Sequence, residues 1–183
     1  MASQVENAAS AWVVRFAVLV PPGATVLDLA SGGGRHTRLF LDCGCRVTAV
    51  DRDVSQLAGL ADHPRLEVIA ADLEDGSPWP LGERRFACVI VTNYLHRPIL
   101  PRLVNAVAPG GVLIYETFGR GHEALGRPRN PAFLLEPDEL LAAVRPDLQV
   151  VAYEHGRIDR PRPAVVQRIC AARRDNPVPL PPG

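Results

Sequence analysis

Residues 25–35 read TVLDLASGGGR: an apolar, β-branched run, a loop of small residues and the charged start of a helix. Residues 25–30 have the composition of a buried strand. Ser31-Gly32-Gly33-Gly34 breaks that run before a helix expected from Arg35 to Gly44. Glycines at a strand-to-helix turn let the backbone approach a ligand closely, and the helix N-terminus behind them favours negative charge. Three ligands can be weighed. A Walker A loop needs a lysine, and all twenty basic residues of this chain are arginine. A dinucleotide fingerprint, aligned on Ala30 and Gly32, needs a small residue where Arg35 stands. The remaining pattern is an acidic residue followed by small residues at alternate positions: Asp28, Ala30, Gly32 and Gly34.

Upstream, residues 8–20 carry Trp12, Val13, Phe16, Ala17 and Val20 at helical spacing, stopped by Pro21-Pro22-Gly23. Downstream, RVTAVD (46–51) reads as a second strand, 54–61 as a helix and LEVIAA (66–71) as a third strand ending at Asp72. A turn-rich stretch around Pro78-Trp79-Pro80 leads to FACVIVT (86–92), then a helix over 97–107 and a fifth strand over 112–116, introduced by Gly110-Gly111. Residues 117–135 form a long irregular stretch with the length of a binding loop or lid. A helix over 137–144 and two strands, 148–155 and 164–172, close the pattern. The last seven residues, 177–183, hold four prolines and are expected to be disordered, leaving a single domain over 1–176. Strands alternating with helices five times imply a doubly wound, mostly parallel sheet with helices on both faces, and the final strand pair implies an antiparallel edge.

The 183 residues are 47% hydrophobic, too apolar for a disordered chain, and no apolar run approaches the ~20 residues of a membrane span. Twenty acidic residues balance the twenty arginines, so no global field recruits nucleic acid or anionic lipid. Without lysine, Schiff-base chemistry and a lysine general base are excluded. Cys43, Cys45, Cys88 and Cys170 form no CxxC pair, no metal-ligand spacing surrounds them, and they read as apolar thiols in a reducing cytosol. Met1 to Glu6 lacks the basic start of a secretion signal, so a cytoplasmic, bacterial-type protein is expected.

The next strand ends add to the glycine loop. Asp51 closes the second strand 19 residues after Gly32, where a carboxylate can accept from both hydroxyls of a ribose. Asp72 closes the third, where it can accept from an adenine amino group or merely shape a turn. With these features, residues 28–53 (DLASGGGRHTRLFLDCGCRVTAVDRD) closely resemble class I S-adenosylmethionine-dependent methyltransferases, nearest in look to the tellurite-resistance-type branch. The resemblance extends through Ala71-Asp72-Leu73 and Pro109-Gly110-Gly111, about residues 24–116 in all. It implies a Rossmann-like sheet of seven strands with an antiparallel last strand. It further implies that Asp28, Ala30, Ser31, Gly32 and Gly34 cradle the methionine part of S-adenosylmethionine, with Arg35 near its carboxylate. Asp51, with Arg52 beside it, would hold the ribose, Asp72 and the Leu73 amide the adenine, and Asn93 the edge near the sulfonium. Ala30 departs from the commoner glycine, which a negative φ would accommodate.

Methyl transfer from a sulfonium needs alignment and exclusion of water rather than a metal, and no carboxylate cluster suited to one is visible. Tyr94 and His96 follow strand four and are the candidate catalytic residues, with packing over the cofactor and helix capping as their alternative roles. Asn93-Tyr94-Leu95-His96 lacks the Pro-Pro motif that enzymes methylating adenine or glutamine nitrogens share, so that chemistry loses support, and a small-molecule acceptor is the favoured reading. Phe118, Phe133 and Leu134 are expected to close over it. Six arginines against Asp159 within residues 157–174 suit a solvated face better than an RNA surface. The alternative function is a non-catalytic S-adenosylmethionine-binding or scaffold protein with a degenerate acceptor site.

Overall fold

A computed structural model describes residues 8–174, 176–178, 180 and 181. Seven strands form one sheet in the order β3-β2-β1-β4-β5-β7-β6. β1 (Thr25–Leu29), β2 (Arg46–Asp51), β3 (Leu66–Ala70), β4 (Phe86–Thr92) and β5 (Val107–Phe118) run parallel. β7 (Ala164–Ala172) is antiparallel to both β5 and β6 (Gln149–Ile158). The chain winds outward from β1 to β3 and returns to β4 on the other side of β1. The crevice outside the carboxyl ends of β1 and β4 is therefore the point where such sheets take ligands.

Both faces of the sheet are buried, which explains why its strands read as apolar runs rather than alternating patterns. On one face α1 (Ala11–Ala17) and α2 (Arg35–Asp42) pack Trp12, Phe16 and Phe40 against Val26, Val47, Ile90 and Ile114. On the other, α3 (Leu100–Asn105) and α4 (Glu139–Val144) set Leu103, Leu140 and Val144 against Leu27, Val89 and Leu113.

Several elements differ from expectation. α1 starts at Ala11 because the Ser10 hydroxyl accepts from the Trp12 N–H and caps it. Residues 55–60, with Gly59 inside and only Leu57 buried, form a 3-10 helix instead of an α-helix. The expected helix over 97–107 is a 3-10 turn, Arg97–Ile99, followed by α3, and Val107 already belongs to β5. β5 begins earlier than expected because a register shift against Phe86 and Cys88 absorbs the Pro109-Gly110-Gly111 stretch. A Cβ at Gly111 would meet the Phe86 and Ala87 carbonyl oxygens at 2.9 Å. Residues 71–85 join β3 to β4 through turns, leaving β3 as a half-buried edge paired only with β2. In the proline-rich tail, Val178 packs against the α1–α2 side and Pro181 is buried, while residues 179, 182 and 183 lie outside the described residues. Among the described residues no helix is long and apolar enough to cross a membrane.

Candidate functional site

At the end of β1 the chain turns through Ala30 at φ 53°, a left-handed conformation, so the expected negative φ is not what the loop adopts. Gly32 and Gly34 follow with positive φ. At φ 72° Gly34 adopts a conformation that favours glycine, and a Cβ there would displace the end of the Leu57 side chain. Asp51 then fixes the loop from the neighbouring strand. Its Oδ2 accepts from the Gly32 N–H at 2.8 Å and its Oδ1 from the Asp53 N–H at 3.0 Å. Each oxygen keeps a second lone pair for another donor.

Beside this loop lies a cavity of about 310 Å³. Ala30 enters it from β1, Asp51 and Arg52 from β2, and Tyr94 from the end of β4. The β3 end supplies Ala71, Asp72, Leu73 and Glu74, and Phe133 arrives from the loop after β5. Asp72 shapes a turn, its Oδ1 accepting from the Glu74 N–H at 2.9 Å, and the residue also lines the cavity. Glu74 was missed, and Phe133 was expected over an acceptor together with Phe118 and Leu134 without being told apart from them. The spacing Asp72-x-Glu74 was a legible sign of a second carboxylate at the same strand end; Phe133 is brought in by tertiary contacts alone.

The remaining candidates stand behind or beside the cavity. Asp28 is buried beneath the loop, where its Oδ2 accepts from the Thr37 hydroxyl at 2.6 Å. Burial pushes its carboxyl up to about 6, opposed by the Thr37 bonds and the Arg35 charge. Arg35 reaches from the start of α2 toward the Thr92 hydroxyl and the Ala8 carbonyl, both at 3.5 Å. Asn93 sits at φ 56°, with its N–H donating to the Glu116 carbonyl. His96 precedes the 3-10 turn, makes no side-chain cap and is not brought to the cavity wall.

Tyr94 is oriented by Tyr115, whose hydroxyl donates to the Tyr94 carbonyl at 2.8 Å. Burial, together with the nearby carboxylates of Glu74, Asp72 and Asp51, raises the Tyr94 phenol well above its usual range. The Ser31 hydroxyl is buried without a hydrogen-bond partner, whereas the Tyr94 hydroxyl is turned toward Glu74. An orphaned hydroxyl in the glycine loop is what a polar ligand would satisfy.

A polar cluster next to the loop was not visible in the sequence. The Ser10 N–H donates to His36 Nε2 at 3.1 Å, and the Ser10 hydroxyl donates to Glu116 at 2.7 Å. Burial and the Arg35 charge lower His36 to about 3, so it stays a neutral acceptor. The loop after β5 is also more tightly built than a simple lid. Phe118 and Leu134 pack with Ala164 and Val166 rather than over an acceptor, and His122 stacks on Phe118 with centroids 4.1 Å apart. Of the three apolar residues expected to cover an acceptor, Phe133 alone faces the cavity.

A switch-point glycine loop, acidic ends on β2 and β3, and antiparallel final strands are the arrangement of class I S-adenosylmethionine-dependent methyltransferases, which this chain resembles. Residues 26–111 match the family model described as a methyltransferase domain. The chain is similar to trans-aconitate 2-methyltransferase of Delftia acidovorans, 31% identical over 110 residues that cover 56% of this chain and 41% of that protein. It thus spans about two fifths of that relative's length. Among solved structures, it resembles Burkholderia thailandensis 1,6-didemethyltoxoflavin-N1-methyltransferase, solved with 1,6-didemethyltoxoflavin and S-adenosylhomocysteine bound. The TM-score is 0.68 at 25% identity, covering 94% of this chain and 80% of that one. The fold is also that of TehB from Haemophilus influenzae, with TM-score 0.67, 17% identity, and coverage of 88% and 61%.

Proposed function

We propose that this chain transfers a methyl group from S-adenosylmethionine to a small-molecule acceptor. One observation carries the reading: the cavity joins the glycine-loop residue Ala30 and the doubly held Asp51 to the Asp72–Leu73 strand end. The residues fit the cofactor. Asp51 has lone pairs for both ribose hydroxyls, Asp72 for the adenine amino group, and the Leu73 amide for a ring nitrogen. The orphaned Ser31 hydroxyl and the Tyr94 hydroxyl supply further polar partners. Arg35 and the loop amides suit the methionine carboxylate, and Asp28 beneath the loop adds negative charge on the amino-group side.

When bound, the cofactor supplies a methyl group on a sulfonium, which passes in line to an acceptor lone pair as the sulfur becomes a neutral thioether. The protein's part is alignment and desolvation. Tyr94, held as a phenol, serves as a hydrogen-bond donor rather than a base. The small-molecule class is supported by the relatives named for trans-aconitate and 1,6-didemethyltoxoflavin.

Asp51→Ala tests the reading. Losing two charge-assisted hydrogen bonds, at about 1.5–3 kcal/mol each, should weaken S-adenosylhomocysteine binding on the order of a hundredfold or more. Calorimetry giving an unchanged dissociation constant in a folded variant overturns the assignment. Transfer of labelled methyl to a panel of small acids, amines, thiols and phenols separates the enzyme from a binding protein without an acceptor site.

A further inference from the structure

We propose that Phe133 is the outer wall of the adenosine pocket and that Arg97 is the positioning residue that holds it there; this rests on the cofactor reading above. Phe133 is 42% exposed, yet it lines the same cavity as Leu73 and Asp72. An exposed aromatic ring is ordinary on a mobile loop, but the backbone here is fixed on both sides. The Arg97 Nη1 donates to the Ala132 carbonyl at 2.7 Å and its Nη2 to the Leu134 carbonyl at 2.9 Å, so one guanidinium grips the residues flanking Phe133. The same fork holds Glu139, Nε to Oε1 at 2.7 Å and Nη2 to Oε2 at 2.9 Å, which ties the loop to the start of α4.

Two further contacts complete the frame. The Asn130 side chain accepts from the Ala132 N–H at 3.0 Å, and Leu134 is fully buried in its own small cluster. The ring of Phe133 is thus presented on a rigid support to the cavity that Ala71 and Leu73 also line, where a planar base would cover it. Arg97 lies three residues after Tyr94, so one short segment carries one wall of the pocket and fixes another. The loop after β5 therefore closes on the cofactor itself, and its position is set before any acceptor arrives.

S-adenosylhomocysteine binding to the full chain, measured by calorimetry, tests this. Removing a base–aromatic contact in Phe133→Ala should weaken binding tenfold or more, and Phe133→Tyr, which keeps the ring, should restore most of it. Phe133→Trp makes the wall a fluorescent reporter whose emission changes on saturation. Adding Arg97→Met to that reporter should shrink the change and weaken binding several-fold at temperatures well below melting. Glu139→Gln, a milder change that leaves the Arg97–carbonyl contacts in place, should act in the same direction. A purely structural Arg97 would lower the melting temperature while leaving the reporter signal and the affinity unchanged, and that result overturns its positioning role. If Phe133→Ala binds like the parent while Asp51→Ala does not, the wall is wrong and the cofactor reading stands. If neither variant weakens binding, the cofactor reading itself falls.

Discussion

At φ 53°, Ala30 carries its methyl group through a conformation that costs alanine about 1 kcal/mol more than glycine. Ala30→Gly should therefore raise the melting temperature by about 2–4 °C for a chain of this size, measured by calorimetry. Asp28 and His36 make opposite contributions to the pH dependence of stability. Burial pushes Asp28 up to about 6, so the folded chain keeps a proton that the unfolded chain releases near pH 4, and stability falls as pH rises between those values. His36, lowered to about 3, stays neutral where the unfolded chain charges, so stability falls as pH drops below about 6.5. In Asp28→Asn the first slope disappears and the second remains. Melting followed from pH 4 to 8 should rise steadily to about pH 6.5 and exceed the parent at pH 7–8. Neither group's environment was legible in the sequence, because each depends on burial and on partners such as Ser10, 26 residues from His36.

Among elements, the strands were read well because a sheet buried on both faces writes itself as apolar, β-branched runs. Helices were read less well. Residues 54–61 had the length for a helix but a single buried contact, Leu57, to reward it, so a 3-10 turn sufficed. The loop after β5 was recognised by its glycines and prolines, but its inward-facing residue was not, since Phe118, Phe133 and Leu134 look alike in sequence and only packing separates them. Replacing residues 119–130 with a short Gly/Ser linker removes His122 with its stack on Phe118 and the Asn130 bond to the Ala132 N–H, but retains Phe133 and the Arg97 contacts to Ala132 and Leu134. S-adenosylhomocysteine affinity should stay within a few-fold, whereas transfer to the true acceptor should collapse. A large loss of affinity in the folded variant would show that the deleted half also belongs to the cofactor pocket.

For the whole molecule, the order of strands brings Ala30, Asp51, Asp72 and Tyr94 to one edge of the sheet, a placement legible from their positions at strand ends, while His96 stays off the cavity wall. Ligand selectivity follows too. S-adenosylhomocysteine at a hundred times its dissociation constant should stabilise the fold by about 2.7 kcal/mol, and NAD, NADP and ATP at equal concentration should not match the resulting thermal shift. The bare connection between β3 and β4 has a consequence of its own. β3 pairs with β2 alone and is only half-buried, yet it leads into Asp72 and Leu73, the proposed adenine side of the site. The amides of residues 66–70 should thus be among the first in the sheet to exchange with deuterium in the free protein, opening locally while β1 and β4 remain shut. Cofactor bridging that strand end to Asp51 would close this weakest edge, so the largest gain in protection on binding should appear in β3 rather than in β6 at the opposite margin.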